Sequence, residues 1–427
     1  PAVSVNAYNR ATNLDDLYFS LFKPANGAHW DGNLKKYKLG SYIDGLGNKV
    51  PEIQDANGNP AIDNVTGFFK DTAVSFWTQP DQNPDGAETA LGGAAGMLKK
   101  VRNVYTFTGT YTMAAGVATP STATSGDLND FSNVLFLGNP SITDTMLGGV
   151  AANPDVTYVS GGVSYTMPYT DALLAWANGY DMLDDDGNFE SDEARRIMGD
   201  PLHAEPALVQ YKEFPNGDPD LVAFVATNDG YLHAVNSSTG LEYFAFVPQE
   251  LLPNLNYIFE DTGVAGKSYG LDGNVVPWMK DGNFDGDLED AGDHVYLYFG
   301  QRRGGSDIFS LDVTDRNNPQ LRWVIKGGVG DYAEMGQSWS TPNVERLKLG
   351  GQTKTVLIFG GGYDTGQDTV SVRTPDAVGR SVYIVDAETG ALLWRAGPDS
   401  GADLQLTDMQ YSIPGRIKPV DVDSNGY

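Results

Sequence analysis

The chain has 427 residues, 41% of them apolar, and its 56 acidic side chains against 28 basic ones give a formal net charge of −28. Such a chain repels phosphate backbones and anionic lipid headgroups, which excludes nucleic-acid binding and docking on acidic membranes. It contains no cysteine, which removes disulfides, thiolate catalysis and cysteine-bound zinc together. No apolar run reaches the roughly 18 residues of a membrane span, so we expect no membrane insertion.

The 51 glycines and 23 prolines separate short apolar runs, a pattern typical of an all-β chain with many tight turns. The run at residues 17–19 predicts a strand, and residues 34–39 predict a hairpin arm. Residues 40–68 predict a pair of short strands. From residue 207 onward, strand and turn patterns alternate almost without interruption.

Two segments between residues 80 and 205 have helical spacing instead. Residues 88–103 repeat Ala, Leu and Met at that spacing, although three glycines oppose a helix. Residues 170–181 predict an amphipathic helix capped by Thr170. We interpret both segments as insertions in a single β domain that spans residues 1–427.

One hairpin unit occurs three times, at residues 226–246, 308–324 and 381–397. Each copy has an alternating strand, a polar turn residue and a second strand that closes on an aromatic residue. The turn residues Asn236, Asp312 and Asp386 lie 76 and 74 residues apart. Because one hairpin cannot bury its own apolar face, this recurrence predicts blades that pack against one another, as in a β-propeller.

An acidic loop with Gly at position six carries oxygen ligands at every second position: Asp281, Asn283, Asp285, Asp287 and Glu289. Calcium takes about six to eight oxygen ligands, and a loop of this spacing can wrap one ion. Position twelve is Gly292, so Asp290 or Asp293 would have to complete the shell. A solvated hairpin turn is the alternative, because Asp-Gly is a strong turn former.

A second acidic loop stands at the end of the sequence. It offers Asp421, Asp423, Asn425 and the carbonyl of Tyr427 at positions one, three, five and seven. A third segment, residues 184–193, is densely acidic. Counted from Asp184 it has no glycine at position six, so we interpret it as a solvated turn.

The sequence offers no familiar catalytic motif. Its four histidines are not paired at helical or hairpin spacing, so no zinc or iron centre is expected, and His233 is interpreted as an ordinary residue of a repeated strand. Residues 360–362 are glycines without a following helix, which favours a tight turn over a phosphate cradle. For Arg302 and Arg303, in a turn of an acidic protein, we expect internal ion pairs rather than an anion site.

Eight longer motifs together resemble one known family. They are LFKP…HWDGNLKKYKL (21–39), RNVYTFTG (102–109), RRIMGDPLHAEPALVQY (195–211), VATNDGYLHAVNSSTGLEYFAFVPQELLPNL (225–255), YGLDGNVVPW (269–278), GGSDIFSLDVTD (304–315), GQSWSTPNV (336–344) and SIPGRIKPVDVDSNGY (412–427). They span nearly the whole chain in the family's order. The chain is similar to the C-terminal domain of the PilY/PilC family, the type IV pilus tip-associated adhesins.

The resemblance implies a modified quinoprotein-like β-propeller of about seven blades, with long loop and helical insertions and a last blade that we expect to be incomplete here. It implies a non-enzymatic factor at the pilus tip and outer surface of a Gram-negative bacterium, exported through the periplasm. The expected partners are major and minor pilins and a host or abiotic surface. The expected roles are pilus biogenesis, opposition to retraction, attachment, twitching motility and virulence.

The resemblance also implies Ca²⁺. In that family a loop of the form D-x-D-x-[DN]-G-x-x-D tunes pilus function, and it maps onto Asp421, Asp423, Asn425 and the Tyr427 carbonyl. The final Asp of the motif would follow Tyr427. The loop at residues 281–289 is not part of that motif and rests on spacing alone.

Two other functions remain open at this point. The motif AETG-x₃-W at residues 387–394 also resembles the blade motif of pyrroloquinoline-quinone dehydrogenases, which would make the chain an enzyme with a calcium-bound quinone. The absence of cysteine argues against that class, whose members usually carry a vicinal disulfide over the quinone. The other alternative is a passive structural propeller stabilised by calcium.

Overall fold

The computed structural model describes residues 2–5, 15–261 and 266–420. It is mostly β with few helices, as the sequence predicts. The helices are α1 (Gly93–Gly96), α2 (Tyr169–Asn178) and α3 (Leu252–Glu260). The strands are β1 (Ala2–Val5), β2 (Asp16–Lys23), β3 (Asp31–Ile43), β4 (Lys49–Gln54), β5 (Val104–Tyr105), β6 (Tyr111–Ala114), β7 (Val117–Pro120), β8 (Val156–Ser160), β9 (Val163–Met167), β10 (Met198–Gly199), β11 (Ala207–Glu213), β12 (Pro219–Ala226), β13 (Leu232–Asn236), β14 (Glu242–Phe246), β15 (Val275–Lys280), β16 (His294–Gly300), β17 (Ile308–Asp312), β18 (Gln320–Ile325), β19 (Asn343–Leu349), β20 (Gln352–Gly360), β21 (Val382–Asp386), β22 (Leu392–Gly397) and β23 (Leu404–Gln405).

The described residues divide into two compact units. The first unit draws on residues 1–108, 128–270 and 283–291, and the second on residues 109–127, 271–282 and 292–427. The chain therefore passes between the units several times. The prediction of a single domain over residues 1–427 stays a prediction.

The first unit contains two antiparallel meanders, each made of four strands consecutive in sequence or nearly so. Strands β1 to β4 form one, and β10 pairs with the start of β3. Strands β11 to β14 form the other, and β5 adds to β14 in parallel. Strands β8 and β9 make a separate two-stranded ribbon.

The second unit also contains two such meanders within the described residues. Strands β15 to β18 form one, and the β7–β6 hairpin extends it beyond β18. Strands β19 to β22 form the other, followed by β23 in parallel. Four-stranded meanders of this kind are the building unit of propeller blades.

The three repeated hairpins are confirmed, and they agree in detail. They are β13–β14, β17–β18 and β21–β22, and each contains a register shift at the same point, two residues before the turn residue. The aromatic residue then pairs across the hairpin: Phe244 with Ala234, Trp323 with Ser310 and Trp394 with Ile384. All three hairpins therefore share one bulge geometry, although their turns differ in length.

The polar turn residues cap their own turns. The Oδ1 atom of Asn236 accepts hydrogen bonds from the amides of Ser238 and Thr239, at 2.9 and 3.0 Å. Asp386 accepts hydrogen bonds from the amides of Glu388 and Thr389. Asp312 accepts one from the amide of Thr314 at 2.9 Å. A side chain that mimics the backbone in this way favours Asn and Asp at these positions.

In each unit, a tryptophan closes over the glycine turn of a repeated hairpin. In the second unit, Trp323 of β18 is 1% exposed and its Nε1 donates to the carbonyl of Glu388 at 3.2 Å. A Cβ on Gly390 would lie 3.0 Å from the ring. In the first unit, Trp77 donates to the carbonyl of Ser237 at 3.1 Å, and a Cβ on Gly240 would lie 2.5 Å from its Cγ.

The loop that carries Trp77 is fixed by a buried ion pair. The Nζ atom of Lys35 in β3 lies 3.1 Å from Oδ2 of Asp85, and both side chains are fully buried. Asp85 also accepts hydrogen bonds from the amide of Ser75 at 2.7 Å and from the hydroxyl of Thr78 at 2.7 Å. These bonds surround residue 77 on both sides, so they position the tryptophan ring.

Each pair of meanders shares an apolar core. In the second unit, Tyr298, Trp323, Leu357 and Tyr383 belong to one buried cluster, which joins β16 and β18 to β20 and β21. In the first unit, Tyr18 and Leu34 of the first meander pack with Ala223 and Val235 of the second, among others. Neighbouring meanders in each unit therefore bury faces that none could shelter alone.

The helical predictions are borne out in part. Helix α2 occupies the predicted segment, but it begins at Tyr169 after Pro168, with no side-chain cap, so Thr170 does not cap it. Residues 88–103 contain only the four-residue helix α1, because glycines occupy both of its ends. The segment 80–205 is more than an insertion, since its short strands complete three of the sheets.

Replacing Gly240 with alanine tests the packing of a tryptophan on a glycine turn. The new Cβ would collide with Trp77 and the residue would keep a φ of +73°, so we expect a loss of about 2–4 kcal/mol in the free energy of unfolding. Gly58→Ala is the matched control, because Gly58 has a φ of +77° and open space, and about 1 kcal/mol of backbone strain is expected. Urea unfolding measures both. Equal losses would contradict the proposed role of the contact.

Candidate functional site

The structure gathers three carboxylates in the acidic segment that follows α2. One oxygen each from Asp181, Asp186 and Glu193 lies within 4.8 Å of the other two. Among the described residues no second group of three His, Cys, Asp or Glu ligands meets this spacing. A group of this kind can hold a metal ion, because hard divalent cations take carboxylate oxygens as ligands.

The segment is closed at its base like a hairpin. Tyr180 and Ala194 form a bridge, and the amide of Asp181 donates to the carbonyl of Glu193 at 3.2 Å. Within the loop, the amide of Asp185 donates to both carboxylate oxygens of Asp181, at 3.0 and 3.1 Å. This closure brings the beginning and the end of an acidic run together.

An amide group lies between two of the three carboxylates. The Nδ2 atom of Asn188 donates to Asp186 at 3.0 Å and to Glu193 at 2.6 Å. The third carboxylate, Asp181, is 3% exposed. Its burial, with the nearby charges of Asp185 and Asp186, raises its pKa to about 6. A cation bound here would relieve this repulsion and displace a proton.

Counted from Asp184, the sequence predicts a solvated turn for this segment. With Gly187 at position six, Asp184 and Asp186 occupy positions three and five, and Glu193 occupies position twelve, the usual place of a closing acid. Asp181 lies one residue before position one. The count from Asp184 missed this register, whereas a count from the glycine finds it.

The loop predicted at residues 281–289 is a series of side-chain-capped turns. Each side chain accepts a hydrogen bond from the amide two residues further on: Asn283 from Asp285, Asp285 from Asp287, and Asp287 from Glu289. Glu289 also forms an ion pair with Lys212. Asp281 follows β15 in the second unit. These contacts account for the turn, and the metal prediction here stays a prediction.

The family calcium loop lies outside the described residues. Asp421, Asp423, Asn425 and Tyr427 all fall in residues 421–427. Their assignment as calcium ligands stays a prediction.

A buried polar cluster in the first unit joins residues of three of the quoted motifs, HWDG, MGDP and TNDG. The Nδ1 atom of His29 lies 3.0 Å from Oδ1 of Asp229, and its Nε2 lies 3.5 Å from Asp31. Strand β10 pairs with the start of β3, which brings Gly199 beside Asp229. A Cβ on Gly199 would lie 2.4 Å from Cγ of Asp229, so the carboxylate needs a glycine there.

The same cluster continues to Asp200, which is completely buried. The side chain of Asn228 donates to Asp200 at 2.8 Å, and Lys267 forms an ion pair with it. The Nζ atom of Lys267 also lies 4.6 Å from the ring centre of Trp30. Sequence reasoning missed this cluster because its members are far apart in the chain.

The charges in the cluster stabilise one another. Burial acts to lower the pKa of His29, but the charge and hydrogen bond of Asp229, together with the nearby carboxylate of Asp31, outweigh burial and raise it to about 10. Burial acts to raise the pKa of Asp229, and the charge of His29 and its hydrogen bond lower it overall. A histidine held as a cation at neutral pH suits an ion pair better than acid–base catalysis.

Other charged residues also have structural partners. The Nη1 atom of Arg302 lies 3.1 Å from Asp272, and Nη2 of Arg303 lies 3.6 Å from Asp368, which confirms the predicted ion pairs. His233 lies in β13 and is 3% exposed, with Nδ1 2.7 Å from Glu242. Arg102 donates to both oxygens of that glutamate, at 2.7 and 2.9 Å.

Sequence comparison connects the chain with pilus proteins. No protein-family model matches it. A segment of 222 residues, 47% of this chain and 17% of the relative, is 28% identical to the type IV pilus biogenesis factor PilY1 of Pseudomonas aeruginosa strain UCBPP-PA14. A segment of 142 residues, 33% of this chain and 10% of the relative, is 33% identical to the PilY1 homolog of Xylella fastidiosa strain Temecula1. The matches thus span at most about a sixth of each relative.

Two solved structures resemble the chain weakly. The C-terminal domain of P. aeruginosa PilY1 is 28% identical, covers 42% of this chain and 30% of its own, and has a TM-score of 0.28. The quinohemoprotein alcohol dehydrogenase ADHIIG of Pseudomonas putida HK5 is 14% identical and has a TM-score of 0.25. The match covers 69% of this chain and 42% of the dehydrogenase chain. At such scores neither likeness bears on the fold.

The sequence matches all fall in one class of protein, the type IV pilus biogenesis factors. The resemblance drawn from the motifs is confirmed, since the chain is similar to PilY1 proteins over up to 47% of its length. None of the helices in the described ranges has the length and apolar content that a membrane crossing needs.

Replacing Asp229 with asparagine tests the buried cluster. Loss of the charge leaves His29 without its counter-ion, so we expect unfolding to require about 3 kcal/mol less. The double variant H29Q/D229N should lose less than the sum of the single losses, because the two side chains act on each other. Thermal unfolding across a double-mutant cycle gives the interaction energy. Additive losses would show that the pair is not coupled.

The same pair predicts a pH dependence. The folded-state pKa of His29 lies above its ordinary value, so its contribution to stability is complete below about pH 6.5 and is lost as the pH rises through about 10. Melting temperatures of the wild type should fall over that range relative to those of H29Q. Parallel curves would contradict the assignment.

Proposed function

We propose that the chain is the C-terminal, propeller-like part of a type IV pilus biogenesis factor, without enzymatic activity. The observation that carries this proposal is the sequence identity of 28–33% with PilY1 proteins. The four-strand meanders support it, since consecutive blades of a propeller have that form. The count of about seven blades is part of the proposal.

The proposed site of action is the outer cell surface and pilus tip of a Gram-negative bacterium, reached through the periplasm. There the protein would contact major and minor pilins, support assembly, oppose retraction, and mediate attachment to host or abiotic surfaces, and so contribute to twitching motility and virulence. A rigid, acidic β body with structurally paired charges suits docking better than chemistry.

The motif that resembles a quinone dehydrogenase has a structural explanation. Gly390 of AETG-x₃-W provides the left-handed turn that Trp323 covers, and Trp394 closes the hairpin opposite Ile384. Packing accounts for both signature residues without a cofactor. The enzyme hypothesis therefore has no supporting observation of its own.

Deletion and complementation test the pilus role. A strain without the gene should lose surface pili and twitching, and the full-length wild-type gene should restore both. Full-length Gly58→Ala should restore them as well, whereas Gly240→Ala should restore them weakly because the packing of the meanders is damaged. Normal pili and twitching in the deletion strain would reject the proposal.

We propose further that Ca²⁺ tunes this function and that it binds at three separate sites. The first is formed by Asp181, Asp186 and Glu193, and the others are the loops at residues 281–289 and 421–427. The donor set supports this proposal, because carboxylate oxygens clustered in an acidic chain favour a hard divalent cation. Binding to the folded state alone would stabilise the protein by about 2.7 kcal/mol at a hundredfold excess of free calcium over the dissociation constant.

Calorimetric titration of wild type, Asp186→Asn and Asp185→Asn tests the first of these sites. Asp186→Asn should bind one ion fewer, whereas the neighbouring Asp185→Asn should keep the stoichiometry, because Asp185 lies outside the group of three. Affinity should fall as the pH drops below about 6, since Asp181 must lose its proton. Equal stoichiometry in all three proteins would exclude this site.

A further inference from the structure

Strand β9 leaves one edge of the β8–β9 ribbon open. A two-residue turn, Gly161–Gly162, joins the strands, and the Ser160–Val163 pair flanks it. In such a hairpin the flanking pair exchanges hydrogen bonds and the next pair, Val159 and Ser164, points its backbone groups away from the partner strand. The backbone groups of Thr157 and Thr166 also point away from the partner strand.

The opposite edge of the ribbon is strand β8, and there the outward backbone groups of Val159 have partners. The amide of Ser191 donates to the carbonyl of Val159 at 2.8 Å, and the amide of Val159 donates to the hydroxyl of Ser191 at 3.2 Å. The outward groups of Val159 on β8 are thus used by the acidic segment. The outward groups of Ser164 and Thr166 on β9 face no strand in the described part of the chain.

Strand β9 also lacks the features that usually protect an edge. Its sequence, VSYTM, has no charge and no proline, and Val163 and Tyr165 are 51% and 47% exposed. By contrast, the outer strand β4 carries Lys49, Pro51 and Glu52. Charges and proline on an edge prevent another strand from pairing with it, so β9 is open to strand addition.

The charge around the ribbon defines the partner. Residues 128–194 contain eleven acidic residues and no lysine, arginine or histidine, and Lys100, from outside this stretch, pairs with one of them, Asp192. Glu190 accepts a hydrogen bond from Gly161 at the tip of the ribbon, and Asp155 precedes β8 at its base. A second copy of this chain would bring the same negative charge, whereas a cationic segment would be attracted.

We propose that β9 is a docking edge for an extended, lysine- or arginine-rich segment of a partner protein, which adds as a further antiparallel or parallel strand beside Ser164 and Thr166. The inference rests on the ribbon and its charge and does not require the pilus assignment. Backbone hydrogen bonds give the contact its geometry, and the acidic surroundings select the cationic partner.

The experiment uses the full chain and a fluorescent ten-residue peptide of alternating lysine and valine. Three results are expected: the peptide binds, a peptide with glutamate in place of lysine does not, and N-methylation of alternate peptide amides abolishes binding. Ser164→Pro removes an outward N–H that the ribbon itself does not use, so affinity should fall about fivefold or more. Ser164→Thr, the matched control, keeps that N–H and should bind like the wild type.

Amide hydrogen exchange locates the contact. Protection of Ser164 and Thr166 that rises only when the lysine peptide is bound supports the proposal, and Thr166→Pro provides a second test should Ser164→Pro fail to fold. Unchanged affinity in both proline variants, or equal binding of the glutamate peptide, overturns it. Protection of both amides in the free protein would show that the chain covers its own edge. If the wild type forms dimers and Ser164→Pro abolishes them, the partner at β9 is a second copy of this chain and not a cationic segment.

Discussion

The packing of Trp77 over Gly240 and of Trp323 over Gly390 is the contact on which each pair of meanders depends. A glycine turn leaves room for an indole, and the indole N–H satisfies a carbonyl of the same turn. Because the contact combines apolar burial with one directed hydrogen bond, it fixes both the distance and the angle between neighbouring sheets. Its two occurrences differ in origin, since Trp323 belongs to a strand whereas Trp77 lies in a loop anchored by Lys35 and Asp85.

The hairpins could be predicted from sequence because their information is local: alternating apolar residues, a polar turn residue and an aromatic residue within about twenty positions. The partners that join the hairpins could not, because Trp77 and Ser237 are 160 positions apart and no pattern connects them. Thr170 was wrongly expected to cap α2, since Pro168 starts the helix without one. His29 and Asp229, 200 positions apart, were missed for the same lack of local signal. The acidic segment after α2 was visible in the sequence, and only its register was misjudged.

Two kinds of charge coexist in the molecule. The buried pairs, such as His29 with Asp229 and Arg102 with Glu242, satisfy each other and hold neighbouring elements in register. The acidic segment after α2 is different, because Asp181, Asp186 and Glu193 have amide donors but no basic side chain among their own loop residues. Repulsion that remains in the folded state makes such a loop responsive to cations, whereas the buried pairs are insensitive to them.

The position of the β6–β7 hairpin in the sequence affects how the chain folds during synthesis and how its two units can be separated. It belongs to the second unit, yet it lies in sequence between parts of the first, and β7 pairs with β18, some two hundred residues later. The ribosome therefore releases this hairpin long before its neighbour exists, so the sheet can be completed only after most of the chain has emerged. No cut at a single position yields two fragments that each retain all their own strands. Genetic dissection of the two units would require rearranging the gene rather than shortening it.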